Sequence, residues 1–301
     1  MLLPKFAHGA VAQPSVQFPA AARERVAVAT YPFREFIVGW KGWDGNTPSK
    51  TPRSQQMEMK DFAAHVVEKF NIHKIEAWSP IFPSTEPKYL AELRAAVAKA
   101  GSAFVDIAVD GQHSQYSPDA GERAAAVKAS NSWIDVAVAL DSPSIRTHVE
   151  GGKNVKPDVA LTSDTLSKVA EYAAKRNVVV HLENDNPVSE DPFFLAQVID
   201  KVNSPWLRAL PDFGNSLAAH NDQDFQNRAV DAMFARAYGI CHVKDGEPDD
   251  SGKMTHVDLA QTFAILKKHN YKGYCSIEFD SPGDPYKPTA ELVEKTVAFL
   301  S

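Results

Sequence analysis

From Arg25 onward the chain repeats one pattern eight times: a short run of β-branched and apolar residues, then a longer stretch with helical periodicity. The runs are Arg25–Phe33, Lys74–Pro80, Ala103–Asp110, Ser144–Gly151, Val178–Asp185, Leu207–Phe213, Gly239–Gly246 and Tyr274–Asp280. The helical periods lie at Lys60–Phe70, Pro87–Ala100, Ala120–Ala139, Asp164–Arg176, Pro192–Val202, Asp224–Ala235, Asp258–His269 and Pro288–Leu300. Thr162-Ser163-Asp164 and Pro192 read as helix starts, and Gly101 and Asn177 as left-handed helix ends. Strands that alternate with helices are joined by right-handed crossovers into a parallel sheet. Eight such units in 301 residues predict an α/β fold, a (β/α)8 barrel (TIM barrel) formed by a single domain over residues 25–301. The competing arrangement, an open doubly wound sheet, loses its support because no glycine-rich phosphate-binding turn follows any strand.

Residues 1–24 stand apart from this pattern. They are rich in Ala and Pro, have no period, and read as an N-terminal arm or as the remnant of a leader with an A-x-A spacing at Ala10-Val11-Ala12. The arm reading makes the protein cytoplasmic and the leader reading makes it exported. The connection Gly39–Gln56 carries Trp40 and Trp43 and is too long for a simple link, which points to a functional loop.

Composition removes several function classes. With 32 basic and 38 acidic side chains the net charge is −6, which repels phosphate backbones, so no nucleic-acid partner is expected. No uninterrupted apolar run is long enough to span a bilayer, so no membrane partner is expected either. Two cysteines, Cys241 and Cys275, cannot build a disulfide framework or a cysteine-rich zinc site. Their strand parity points them toward the helices as buried free thiols. Any special site must therefore be built from carboxylates and histidines.

In a barrel of this kind chemistry sits at the C-terminal strand ends. There the second half of the chain places Glu183, Asp212, His242 and Glu278, separated by 29, 30 and 36 residues, each step about one strand–helix unit. Three carboxylates and one imidazole converging on one point repel one another, and a divalent cation relieves that cost. Such a donor set suits one divalent metal ion, Mn²⁺ foremost, with Co²⁺, Mg²⁺ or Zn²⁺ beside it. Other strand-end residues are candidates for contact with a substrate: Glu76 and Trp78, Arg146 and His148, His181, and Lys244. For Glu76, Arg146 and His181 a structural role stands open beside this, as a Glu76–Arg146 pair and a histidine satisfied in the core. His113 and His256 read as loop residues.

The segments HLEND (His181–Asp185), LPDFGN (Leu210–Asn215), HVKD (His242–Asp245) and YKGYCSIEFD (Tyr271–Asp280) resemble the metal-site segments of the xylose isomerase-like TIM-barrel superfamily, in its sugar isomerase/epimerase branch. The resemblance covers Arg25 to Ser301. It implies a divalent ion held by Glu183, Asp212, His242 and Glu278, with Glu183 and Glu278 as the catalytic proton-transferring pair. It also implies a small-molecule carbohydrate substrate, a sugar or keto-sugar isomerised or epimerised through a metal-stabilised enediolate, and association into homo-oligomers. Two departures stand out: GEPDDSGKMTHVDL follows HVKD in place of a Gly-rich turn, and Gly214-Asn215 stands where some ketose epimerases carry a histidine. Three alternatives share the scaffold: a lyase or C-glycoside-cleaving enzyme acting on 3-keto-sugars, an AP endonuclease-like nuclease, and a non-catalytic sugar-binding barrel.

Overall fold

Eight parallel strands form one sheet in the order β6-β5-β4-β3-β2-β1-β10-β7. They are β1 (Val26–Ala29), β2 (Lys74–Trp78), β3 (Ala103–Val109), β4 (Ser144–Thr147), β5 (Val179–Glu183), β6 (Leu207–Leu210), β7 (Ile240–Val243) and β10 (Tyr274–Ile277). The computed structural model describes residues 13–111, 113–151, 155–249, 251–281 and 283–301. The sheet curls until β6 meets β7, where isolated bridges at Ala209–Ala237 and Asp212–His242 stand in for a regular ladder. Helices α1 (Phe62–Phe70), α2 (Pro87–Lys99), α3 (Ala120–Ala139), α4 (Val159–Arg176), α5 (Pro192–Val202), α7 (Gln223–Phe234), α8 (Leu259–Lys268) and α9 (Tyr286–Leu300) connect the strands or follow the last of them. The fold is a (β/α)8 TIM barrel. No helix among the described residues is long and apolar enough to cross a membrane.

The helix boundaries follow simple residue chemistry. Asp119, Asp158, Asp191, Asp222 and Asp258 cap N-termini, each accepting a hydrogen bond from backbone N–H groups of the first turn. Asn71, Asn177 and Asn203 end α1, α4 and α5 in the left-handed conformation. The start of α4 therefore lies earlier than Thr162-Ser163-Asp164, because Asp158 binds the N–H groups of Ala160 and Leu161. Two elements escape the eightfold pattern: the short helix α6 (Asn215–His220), and a hairpin of β8 (Gly246–Pro248) and β9 (Met254–His256) inside the segment after HVKD. Both are too short to show a period.

The main apolar core lies between sheet and helices. Inside the barrel, Ala27, Val105, Leu210, Ile240 and Tyr274 form a small apolar floor at the N-terminal end. Phe18 packs against this floor, edge-on to Tyr238 at 5.4 Å and Tyr274 at 5.6 Å. The Tyr238 hydroxyl donates to the Pro14 carbonyl at 3.2 Å, and Arg23 pairs with Glu294 at 2.7 Å. Residues 13–24 thus lie as a strap across the base of the barrel. One aromatic anchor holds them, which periodicity does not reveal. The A-x-A spacing at Ala10-Val11-Ala12 lies outside the described residues. Cys241 and Cys275 are buried partners on β7 and β10, free thiols whose sulfurs lie 3.6 Å apart in a weak hydrogen bond, without a disulfide.

Candidate metal centre

Above the apolar floor the barrel interior turns polar. Glu183 ends β5, Asp212 follows β6, His242 lies on β7 and Glu278 follows β10. One ligand atom from each lies within 4.8 Å of all the others, and all four side chains are buried. His242 Nδ1 is 2.7 Å from Glu183 Oε1, 3.2 Å from Glu278 Oε2 and 3.9 Å from Asp212 Oδ2. Asp212 is fixed from below. Its Oδ1 accepts from the Gly214 and Asn215 N–H groups at 2.8 and 2.7 Å, where α6 begins. Asn184 bonds both backbone groups of Asp212. Asp212 Oδ2 has no hydrogen-bond partner among the described residues although it is buried; its nearest cation is Lys244 Nζ at 3.5 Å.

That orphaned oxygen tests the fit of a cation. A buried carboxylate oxygen without a partner is costly, and this one faces two glutamates and an imidazole nitrogen. Oxygen and nitrogen donors of this kind suit a hard or borderline divalent ion. The residues fit.

The electrostatics of the metal-free chain show the same strain. Burial pushes Asp212 up to about 8, helped by Glu183, Glu247 and Glu278 and opposed by Lys244. Burial would also raise Glu183 and Glu278, but positive neighbours prevail: His242 and Arg146 hold Glu183 below the usual range, and His242 and Lys244 do the same for Glu278. His242 is held well above its ordinary value by Glu183, Glu278 and Glu76, against burial. Its proton supplies part of the positive charge that the surrounding carboxylates favour.

The substrate candidates separate into two levels. Glu76 is 1% exposed and lies behind the cluster, where its Oε1 meets His242 Nε2 at 2.9 Å. It does not reach the mouth. Its place is that of a positioning residue that holds the Nε2 proton, so that Nδ1 faces the cluster. His181 is also below the mouth: its Nε2 accepts from the Gly239 N–H at 3.2 Å, which puts the ring proton on Nδ1, 3.3 Å from Asp106. Both residues precede the mouth-facing residue of their strand by two positions and so sit one layer deeper. No Glu76–Arg146 pair forms, because Arg146 pairs with Glu183 at 3.0 Å and with Asp110 at 3.5 Å. Replacing Glu76 by Gln is expected to lower metal affinity about 10- to 100-fold with the fold intact, read by chelator competition.

Lys244, His148 and Trp78 lie at the strand ends themselves, Lys244 and Trp78 buried and His148 partly exposed. Lys244 Nζ donates to Asn215 at 2.8 Å and Glu247 at 3.1 Å and lies 3.2 Å from Glu278. His148 Nδ1 is 2.8 Å from Glu190, whose carboxylate also takes the Val149 and Asn186 N–H groups. This aims Nε2 between Asp110 at 3.5 Å and Asp185 at 3.7 Å. Burial and Arg146 would lower the His148 pKa, yet Glu190 and Asp110 push it up to about 10. Trp78 donates from Nε1 to Asp110 at 2.8 Å. Asp110, Asn184, Glu190 and Glu247 were absent from the sequence candidates; Asp110 and Asn184, which sit in strand-end positions, were the most accessible to such reasoning. His113, in the loop after β3, pairs with Glu122 of α3, and His256 is an exposed residue of the hairpin.

The profile described as "xylose isomerase-like TIM barrel" matches residues 64–301. The chain belongs to that family. Comparison with curated proteins gives no match. Among solved structures, family-like barrels superpose closely at low identity. A D-allulose 3-epimerase from Methylomonas sp. is 16% identical with a TM-score of 0.68, covering 94% of this chain and 100% of its own. A xylose isomerase-like TIM barrel protein from Mycobacterium smegmatis in complex with magnesium is also 16% identical at 0.68, covering 93% and 98%. A 3-keto-D-glucoside 4-epimerase from E. coli is 15% identical at 0.61, covering 82% and 95%.

Proposed function

We propose that this family member is a divalent-metal-dependent sugar or keto-sugar isomerase/epimerase. The observation that carries the reading is the pair of glutamates at the cluster, each backed by its own cation: Arg146 beside Glu183 and Lys244 beside Glu278. Likeness to epimerases of free ketoses and of 3-keto-glucosides supports the substrate class.

Glu183, Asp212, His242 and Glu278 would hold the ion. When bound, it supplies the positive charge that acidifies a C–H next to a carbonyl and stabilises the enediolate. The chain's own residues do the rest. One glutamate, ionised, takes the proton; the other, protonated beforehand from solvent, gives a proton to the opposite face of the same carbon, or the first hands its own proton to the neighbouring carbon. Arg146 beside Glu183 and Lys244 beside Glu278 favour the ionised form of whichever glutamate is the accepting base. Lys244 and His148, both cationic at neutral pH, donate to substrate oxygens. Incubation with free and 3-keto sugars in D₂O, with Mn²⁺, Co²⁺, Mg²⁺ or Zn²⁺ added, is expected to place deuterium beside the carbonyl in an isomeric product. No deuterium with any of these metals would sink the reading. The aromatic cleft described next favours one second reading, elimination from a 3-keto-glycoside, which the same experiment shows as loss of an aglycone.

A further inference from the structure

We propose that the cleft beside the metal centre is a subsite for an aromatic aglycone, so that the sugar is bound as an aryl glycoside and not as a free monosaccharide. This rests on the sugar-epimerase reading for the identity of the sugar half.

The cleft, about 1010 Å³, runs between the Gly39–Gln56 loop, the residues after β10 and Pro248 of the hairpin. That is the top of the range of roughly 300–1,000 Å³ for a drug-sized ligand, and more than one sugar ring fills. Its inner wall is Tyr31 and Asp280, joined by a hydrogen bond of 3.1 Å. Asp280 follows Glu278 by two residues, and Tyr31 feels the charges of both Lys244 and Glu278. The cleft therefore opens at the same strand end as Glu278, within reach of a substituent on a sugar held at the cluster.

The wall of the cleft is aromatic. Trp43 lies 5.3 Å from Trp40, 5.6 Å from Trp78 and 6.0 Å from Tyr31, centroid to centroid. Trp40 and Trp78 are buried, and their indole N–H groups are taken by Glu35 and Asp110. Trp43 is 70% exposed. It is nevertheless held in place: Asp44 binds the N–H groups of Asn46 and Thr47, and Val38 and Met57 pin the neck of the loop. Ordering a loop costs conformational entropy, and here the result is a large apolar ring presented to solvent beside an active-site cleft. Arg34 lies over the Tyr31 ring at 4.2 Å and 5.5 Å from that of Trp43, adding a cation–π surface.

The polar groups nearest the rings distinguish an aryl ring from a second sugar. Glu35 is occupied by Trp40 and Lys50, Asp44 by its own turn, and Arg34 by Asp280 and the Tyr31 carbonyl. Further out the cleft carries Lys50, Gln55 and Asp284, so the preference for an aryl ring is set at the rings themselves. A planar aryl ring needs only the faces.

The test is calorimetric titration of the metal-loaded full chain with pairs of phenyl and methyl glycosides of glucose, galactose and mannose in both anomers, with cellobiose as the second-sugar arm. The phenyl member of at least one pair is expected to bind about tenfold more tightly than its methyl partner, equivalent to about 1.4 kcal/mol. Trp43→Ala is expected to bring that ratio close to one. A ratio near one in every pair, no binding by any glycoside, or tighter binding of cellobiose overturns the proposal. Metal content and deuterium exchange into free ketoses are scored separately. Their failure with the phenyl preference intact removes the epimerase reading alone, and a lost preference with exchange intact removes the subsite alone.

Discussion

Protein loaded with a divalent ion is expected to hold one ion per chain at pH 8 and to release it steeply on acidification. In the metal-free chain Asp212, pushed up to about 8, and His242, held well above its ordinary value, both carry protons near neutrality. A cation must displace both. Each displaced proton makes apparent affinity rise about tenfold per pH unit, so two give about 100-fold per unit from pH 6 toward 8. Chelator competition across that range reads the slope directly, and a flat profile would contradict the ligand assignment. Asp212→Asn keeps the shape and can still accept from Gly214 and Asn215, so the fold should survive. It is expected to lose about 10²- to 10³-fold in affinity, roughly one ligand's share of a four-ligand site, and one proton's worth of the pH slope.

Glu183→Gln and Glu278→Gln are each expected to lower net turnover by about 10²- to 10⁴-fold at saturating metal, the range for loss of an acid–base group. The informative result is their asymmetry. If two glutamates serve opposite faces, removing one leaves the other able to exchange the proton of the epimer it faces. Each variant should then wash deuterium into only one member of the substrate–product pair, and the two variants into different members. Equal loss of exchange in both directions for both variants would rule out the two-base arrangement. Metal content measured in parallel separates lost chemistry from a lost ligand, since both residues belong to the cluster.

The strand–helix alternation made the barrel legible, because each unit is long enough to show its period. The four cluster residues were legible because strand ends at unit spacing share one height. Depth was harder. Glu76 and His181 share a face with Trp78 and Glu183, yet two residues along a strand is a full layer, and that layer separates the strand ends from the barrel interior. Glu190, which fixes His148, and Glu247, which meets Lys244, lie beyond strand ends where no period ties a residue to a position. The strap at residues 13–24 is held by Phe18 and a few local bonds, a pattern that composition reads as featureless.

The joint between β6 and β7 gives the cluster a mechanical meaning. Regular ladders join the other neighbours in the sheet, whereas this joint is held by isolated bridges, one of them Asp212–His242 itself. Glu183 and Asp212 stand on one lip, and His242 and Glu278 on the other. An ion gripped by all four would rivet the barrel shut at its loosest point.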